Sequence, residues 1–295
     1  MFPAAFEYVR ANSLQEALAA LKEHGSDARV LAGGQSLIPA MRYRLAQPAV
    51  LVDINPIDGL SYIKEDGGVL KIGALTRHSD LEFSKLINEK YKFMADVAYV
   101  VADPIVRNRG TLCGAIAHND PAADWTACAL AARVNVIATS ATGNRTIAID
   151  DFLVDSFTNA LKPGEIVTET VWPIPDATTS GSYLKIERKV GDYATAAAGV
   201  KTTLDARGNC TNTGIGMCAV GPQALRAKNA EKAIDGGPLT DERIKAAAEA
   251  AAKECDPGED TRGSVAFKRD LIRVLVTRAL TQTRERLEKK MGKTS

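Results

Sequence analysis

The sequence holds no apolar run long enough to cross a bilayer, and its first residues, "MFPAAFEYVRANS", lack the basic region and apolar core of a secretory signal. It lacks an excess of charge of either sign. Lys plus Arg number 37 against 36 Asp plus Glu, a formal net charge of +1, so nothing suggests a general electrostatic grip on nucleic acid or acidic lipid. No two of its five cysteines, Cys113, Cys128, Cys210, Cys218 and Cys255, are spaced as C-x-x-C. That argues against a disulfide framework and against a zinc or iron–sulfur site built by this chain alone. The three histidines, His24, His78 and His118, have no clustered partners and do not make a metal site. There is no G-x-G-x-x-G, which excludes a Rossmann dinucleotide site. The expectation is a cytoplasmic protein without a transmembrane segment.

At 295 residues the chain is comfortable for two or three small domains. Ser13 to Glu16 has capping-box spacing, and Leu14, Ala17, Leu18 and Leu21 follow at helical spacing up to Gly25. "ARVLAGG" reads as a strand into a glycine turn, "SLIPAMRYRL" as a short helix and "AVLVDI" as a strand. The first ~55 residues thus form a small β-α-β-α-β unit. "LSYIKEDGGVLKIGAL" and "NVIATSATGNRTIAI" read as hairpins, the second turning at Gly143-Asn144. Between them Ser79 to Glu82 repeats the capping-box spacing, and "ADWTACALAARV" is a helix. "EIVTETVWPIP" closes this part as a strand, and the polar "DATTSGS" reads as a linker. Beyond it "SYLKIERK", "TAAAGVKTTLD" and "CTNTGIGMCAV" read as three strands. "PQALRAKNAEKAI", "TDERIKAAAEAAAKE" and a long run from Val265 to Lys290 read as helices. Trp125 and Trp172 are expected in the core, His24 as a capping cation, and His78 and His118 as structural.

Two stretches could carry chemistry. In "AGGQSLIP", from Ala32, paired glycines can turn consecutive N–H groups into one concavity, and Ser36 adds a hydroxyl. A plain strand-to-helix turn is the alternative. In "RNRGTLCGAIAHNDPAAD", Arg107 to Asp124, small residues let backbone approach a ligand, Thr111 can donate, and an acid can hold a ribose or ribityl hydroxyl. An irregular loop with a helix cap at Asp120 or Asp124 is the alternative. One such loop in each half of the first ~175 residues suggests a dinucleotide lying between two lobes.

Together these stretches are what identify a resemblance. "AGGQSL" resembles the first flavin motif, and "TLCGAIAHNDPAAD" the second, of the FAD subunits of molybdenum hydroxylases. The resemblance continues through "LKPGEIVTE" and "SYLKIERKVGDYATAAAGV", and the wording of "DPAADW" and "RKVGDYATA" points to the carbon-monoxide-dehydrogenase type. It implies an α+β chain: a two-lobed, vanillyl-alcohol-oxidase-like FAD-binding domain over 1–176, with lobes about 1–55 and 56–176. A C-terminal domain over 177–295, with a three-stranded sheet and helices, completes it. It implies that Ala32, Gly33, Gly34, Gln35, Ser36 and Leu37, with Thr111, Cys113, Gly114 and Ala115, bind the FAD pyrophosphate and neighbouring groups. Asp124 would contact the cofactor, Leu161 would lie near the isoalloxazine, and Lys185 and Tyr193 would approach the ring. For Lys185 the bland reading is an exposed strand residue, and for Tyr193 ordinary packing.

The resemblance further implies no catalytic residue of the chain's own toward the primary substrate. A large molybdopterin subunit would oxidise that substrate, and a small subunit with two [2Fe–2S] clusters would relay electrons to this FAD. A quinone, NAD or another acceptor would receive them, in a dimer of heterotrimers lying in the cytoplasm, free or peripheral at the inner membrane. The flavin subunit of an aldehyde or N-heterocycle hydroxylase, and a freestanding FAD oxidoreductase, are the alternatives. One departure stands out. Cys113 occupies a position where the family usually has glycine, which is tolerable only if φ there is negative.

Overall fold

The computed structural model describes residues 2–292. Met1 and residues 293–295, the outer ends of the two expected domains, lie outside the described residues. The first lobe runs β1 (Glu7–Arg10), α1 (Leu14–His24), β2 (Ala28–Leu31), α2 (Leu37–Arg42) and β3 (Val50–Asp53). Its three-stranded sheet is parallel in the order β1-β3-β2. The central strand β3 is buried at every position, as a parallel strand covered on both faces requires, and Leu18 and Leu21 of α1 pack on it. Ser13 caps α1 as its spacing predicts, accepting from the Glu16 N–H at 3.2 Å.

The second lobe begins with the hairpin β4 (Ile63–Asp66) and β5 (Val69–Gly73). Six helices follow: α3 (His78–Phe83), α4 (Lys85–Lys90), α5 (Lys92–Val100), α6 (Pro104–Arg107), α7 (Leu112–His118) and α8 (Asp124–Ala132). The lobe closes with β6 (Asn135–Ser140), β7 (Gly143–Ala148), α9 (Ile149–Phe152), the short pair β8 (Leu153–Asp155) and β9 (Thr158–Asn159), and β10 (Ile166–Pro173). β10 is the central strand of the antiparallel sheet β4-β5-β10-β6-β7. Trp125 and Trp172 are buried and meet edge to face at 6.2 Å, an arrangement that adds about 0.5–1.5 kcal/mol to their area burial. The cap of α3 differs from expectation. Its N-cap is Arg77, whose backbone N–H is held by the Asp80 carboxylate at 2.8 Å, because His78 N–H is committed to the carbonyl of Gly110 at 2.9 Å.

The third part is a sheet covered on both faces: β11 (Thr179–Glu187), β12 (Ala194–Leu204), β13 (Cys210–Cys218) and β14 (Leu225–Arg226), all antiparallel. Helices α10 (Lys228–Ile234), α11 (Asp241–Glu254) and α12 (Val265–Lys290) cover one face. Two expectations shift here. The polar linker is shorter than "DATTSGS", since β11 already starts at Thr179, and a fourth, two-residue strand occupies the start of the stretch read as a helix. The other face of the sheet takes α8, a helix buried on all sides. Gly214 and Gly216 of β13 make that approach possible. A Cβ at Gly216 would run into the Ala127 carbonyl oxygen and lie 3.1 Å from Ala131 N. The second lobe and the C-terminal sheet therefore share one core, with α8 as its common element.

Candidate functional site

A cleft of about 960 Å³ runs between the two lobes and is closed at one end by residues 191–193 of the β11–β12 connection. Thirteen of the fourteen site residues expected from the sequence line it; Lys185 does not. The first glycine loop leaves β2 and enters α2. Gly34 takes φ +74°, the left-handed region, and Gly33 lies against the other loop, where an added Cβ would strike Arg109 O and sit 2.8 Å from the Gly110 Cα. Among the described residues, the backbone N–H groups of Gln35, Ser36 and Leu37 find no hydrogen-bond partner. Ser36 stands at the N-cap of α2 without using its hydroxyl as a cap, so that group too is free to meet a ligand.

The second stretch is a helix start rather than an irregular loop. Thr111, not Asp120 or Asp124, is its cap: Thr111 Oγ1 accepts from the Gly114 N–H at 3.1 Å. Glycine is needed there, because a Cβ at 114 would lie 2.5 Å from that same oxygen. Asp120 instead holds the Ala122 N–H at 2.8 Å, and α8 starts behind Ala123. The cleft lining carries two lysine or arginine side chains, Arg29 and Lys162, against four acids, Asp120, Asp124, Glu165 and Asp192. An anionic group here must be held by backbone N–H and hydroxyl donors, which is what the two loops present.

Cys113 meets the condition its position sets. It lies inside α7 and is absent from the residues with positive φ. Its thiol points into the core, with Sγ 3.6 Å from the carbonyl oxygens of Ile72 and Gly73, and burial pushes it up to about 12. A buried thiol of that kind is inert packing. Cys113→Gly should therefore lose about 1–2 kcal/mol of stability, from the emptied space and the added backbone freedom, with unchanged flavin content. Thermal melts and flavin absorbance per chain check this, and a gain in flavin would contradict it.

Asp124 opens α8 with both oxygens engaged. Tyr183 OH donates to Oδ1 at 2.7 Å and Lys185 Nζ to Oδ2 at 3.2 Å. Lys185 reaches from β11 behind the cleft wall. Its side chain is 2 % exposed, and its ammonium also meets Glu187 Oε2 at 3.1 Å and Val100 O at 3.1 Å. It is neither an exposed strand residue nor part of the lining; its charge reaches the cleft through Asp124. Burial raises the Asp124 carboxyl while Lys185 and the Tyr183 hydroxyl oppose that shift. Tyr193 lines the end of the cleft nearest the C-terminal sheet, its phenol pushed up to about 12 by burial and the nearby Asp120 and Asp124. Leu161 lines the cleft from the connection after β9, its N–H held by Asn159 Oδ1 at 2.9 Å. His78 accepts from Trp125 Nε1 at 3.1 Å and is pushed down to about 3 by burial and two arginines, so it is neutral. His118 packs on Phe157 with ring centroids 5.1 Å apart.

Sequence reasoning missed Asn55 and Arg77, which bridge the lobes beneath the loops. The only local signal was the turn dipeptide Asn55-Pro56 directly after a strand.

Residues 4–175 match the family model of the FAD binding domain in molybdopterin dehydrogenase. Residues 181–283 match that of the CO dehydrogenase flavoprotein C-terminal domain. The chain is 38% identical to the carbon monoxide dehydrogenase medium chain of Hydrogenophaga pseudoflava, over 95% of this chain and 97% of that one. It is 37% identical to the 6-hydroxypseudooxynicotine dehydrogenase complex subunit alpha of Paenarthrobacter nicotinovorans, over 97% of both. The solved carbon monoxide dehydrogenase from Hydrogenophaga pseudoflava lacking the Mo-pyranopterin moiety superposes with a TM-score of 0.93, at 40% identity, covering 97% of this chain and 99% of that one.

Proposed function

The chain belongs to the FAD-binding medium subunits of the molybdenum hydroxylase family, and from that premise we propose that it is the electron-transfer subunit of a heterotrimer of the carbon monoxide dehydrogenase type. The observation that carries the reading is the cleft itself: two glycine loops from separate lobes abut at Gly33 and Gly110, and the unpaired N–H groups of residues 35–37 line a volume of about 960 Å³. Volumes of that order suit a large cofactor.

The residues fit FAD. Gln35, Ser36 and Leu37 would hold its pyrophosphate from one side, and the start of α7, kept narrow by Gly114 and Ala115, from the other. Arg29 and Gly25 line the far end of the cleft in lobe 1, while Leu161 and Tyr193 line the end nearest the C-terminal domain, where the ring system would lie. Bound FAD would supply the junction between one-electron and two-electron carriers. Asp124, held by Tyr183 and Lys185, keeps a fixed charge distribution behind that end, and Tyr193 narrows its access. No side chain of this chain needs to act as general acid or base on the primary substrate. Residues 1–176 serve as the FAD-binding part and 177–295 as the part that closes the cleft.

In this reading two [2Fe–2S] clusters of a small partner subunit deliver the electrons, a large molybdopterin subunit produces them, and a quinone, NAD or another acceptor takes them away. Two such trimers associate, in the cytoplasm or peripherally at the inner membrane. No helix among the described residues is long and apolar enough to cross a membrane. The two relatives carry different substrate names at 38% and 37% identity, which favours keeping an aldehyde or N-heterocycle hydroxylase as the second reading.

The deciding experiment is the visible spectrum of the chain purified with its natural partners, before and after anaerobic carbon monoxide, an aldehyde or an N-heterocycle. Flavin bands bleached by carbon monoxide are the expected result. Bleaching by another compound alone keeps the subunit role and moves the substrate. A preparation without flavin ends the reading.

A further inference from the structure

We propose that Asn55 and Arg77, which belong to neither glycine loop, set the affinity of the cleft for FAD by fixing the distance between those loops. The inference rests on the FAD reading above. Asn55 lies just past β3, in the first lobe. Its Nδ2 donates to the carbonyl of Ala32, where the first loop begins, at 2.8 Å. Its Oδ1 accepts from a terminal nitrogen of Arg77, in the second lobe, at 2.6 Å. The other terminal nitrogen of Arg77 donates to the carbonyl of Arg109 at 2.5 Å. That carbonyl oxygen is the atom against which Gly33 packs without room for a side chain. One chain of hydrogen bonds therefore runs from loop to loop, Ala32–Asn55–Arg77–Arg109, with a backbone carbonyl at each end.

Each member is suited to its place. Asn55 must donate on one side and accept on the other, which an amide does and a carboxylate cannot. Asp53 holds it in that orientation, accepting from the Asn55 backbone N–H at 2.9 Å and also from its Nδ2. Tyr8 OH in turn bonds the other Asp53 oxygen. Arg77 must make two bonds in fixed directions, and its planar fork does so where a single ammonium would not. The consequence is geometric. The free N–H groups at 35–37 on one loop, and the Thr111 hydroxyl and Cys113 N–H on the other, converge on one pyrophosphate only at one loop separation, and separation is what this chain of bonds controls.

The test uses the complex purified with its partners and stripped of flavin, titrated with FAD. Asn55→Ala and Arg77→Lys should each raise the FAD Kd about tenfold. The double variant should also stand near tenfold rather than a hundredfold, because both changes break the same chain. Melting of the flavin-free complexes should stay close to wild type, which separates loop spacing from general unfolding. Arg77→Lys keeps the charge and most of the packing, so it decides the matter should Asn55→Ala fail to assemble. A Kd within twofold of wild type for Arg77→Lys, or multiplicative effects in the double variant, overturns the inference. A wild-type complex that takes up no FAD overturns instead the reading on which it rests.

Discussion

A Lys185→Met chain should unfold about 3–5 kcal/mol more readily than wild type at pH 8, and the gap should narrow as the pH falls through the carboxylate range. The ammonium is 2 % exposed and stands between two carboxylates, Asp124 and Glu187. Without it the Asp124 carboxylate keeps only the Tyr183 hydroxyl in a largely desolvated place at the cleft wall. Burial already raises Asp124, and Lys185 is the chief group opposing that, so its removal raises Asp124 further. The sign follows from linkage. A carboxyl whose folded value lies above its unfolded value binds protons more readily when folded, so stability falls as pH rises from the unfolded value through the folded one. The variant carries the full cost of an ionised, unpaired Asp124 above that window and loses it below. In wild type, acid pH protonates Asp124 and leaves the buried ammonium with less to balance it, which closes the gap from the other side. Urea denaturation at pH 8 and pH 5 measures both. A gap that does not change between them would falsify the role given to Asp124. Against a total stability of about 5–15 kcal/mol, a loss of this size also lowers the yield of folded chain.

What could be read in the sequence was whatever is decided locally. The apolar spacing after Ser13 and the run to Lys290 give α1 and α12, because amphipathic period and cap lie within a few turns. The two hairpins follow from alternation around Gly67-Gly68 and before Gly143. The glycine loops were legible only as a pair, since either alone is also a turn. What escaped was set by distant partners. Arg77 replaces Ser79 at the start of α3 because Gly110, far along the chain, claims the His78 N–H. Leu225 and Arg226 become a strand because they meet the edge of β13, and Arg226 is held there by Asp150 and Glu231. Lys185 looks like an exposed strand lysine until the fold brings it Asp124 and Val100. Asn55 and Arg77 show little beyond the Asn55-Pro56 turn, since they bind each other 22 positions apart and reach the two loops through backbone carbonyls, which no side-chain motif records.

Gly33→Ala should weaken FAD binding by roughly 5–150-fold, the equivalent of about 1–3 kcal/mol of forced repacking. Gly33 is not among the glycines in the left-handed region, so alanine is conformationally acceptable there. Its Cβ, however, would enter the Arg109 carbonyl and lie 2.8 Å from the Gly110 Cα. Both obstacles are backbone, so neither can rotate away as the end of a side chain could. The loops must part by several tenths of an ångström, and the Arg77–Arg109 bond ends on the very carbonyl that has to move. Gly59→Ala is the contrasting case. Its φ of +77° makes alanine strained by about 1 kcal/mol, yet nothing lies within 4 Å of the added carbon. That variant should lose stability and keep its FAD affinity, whereas Gly33→Ala should lose affinity well beyond what its melting temperature accounts for. FAD titration of both flavin-free variants separates the two kinds of glycine. A wild-type Kd for Gly33→Ala would mean that the close approach of the loops is packing alone, and that the cofactor is held by something other than their spacing.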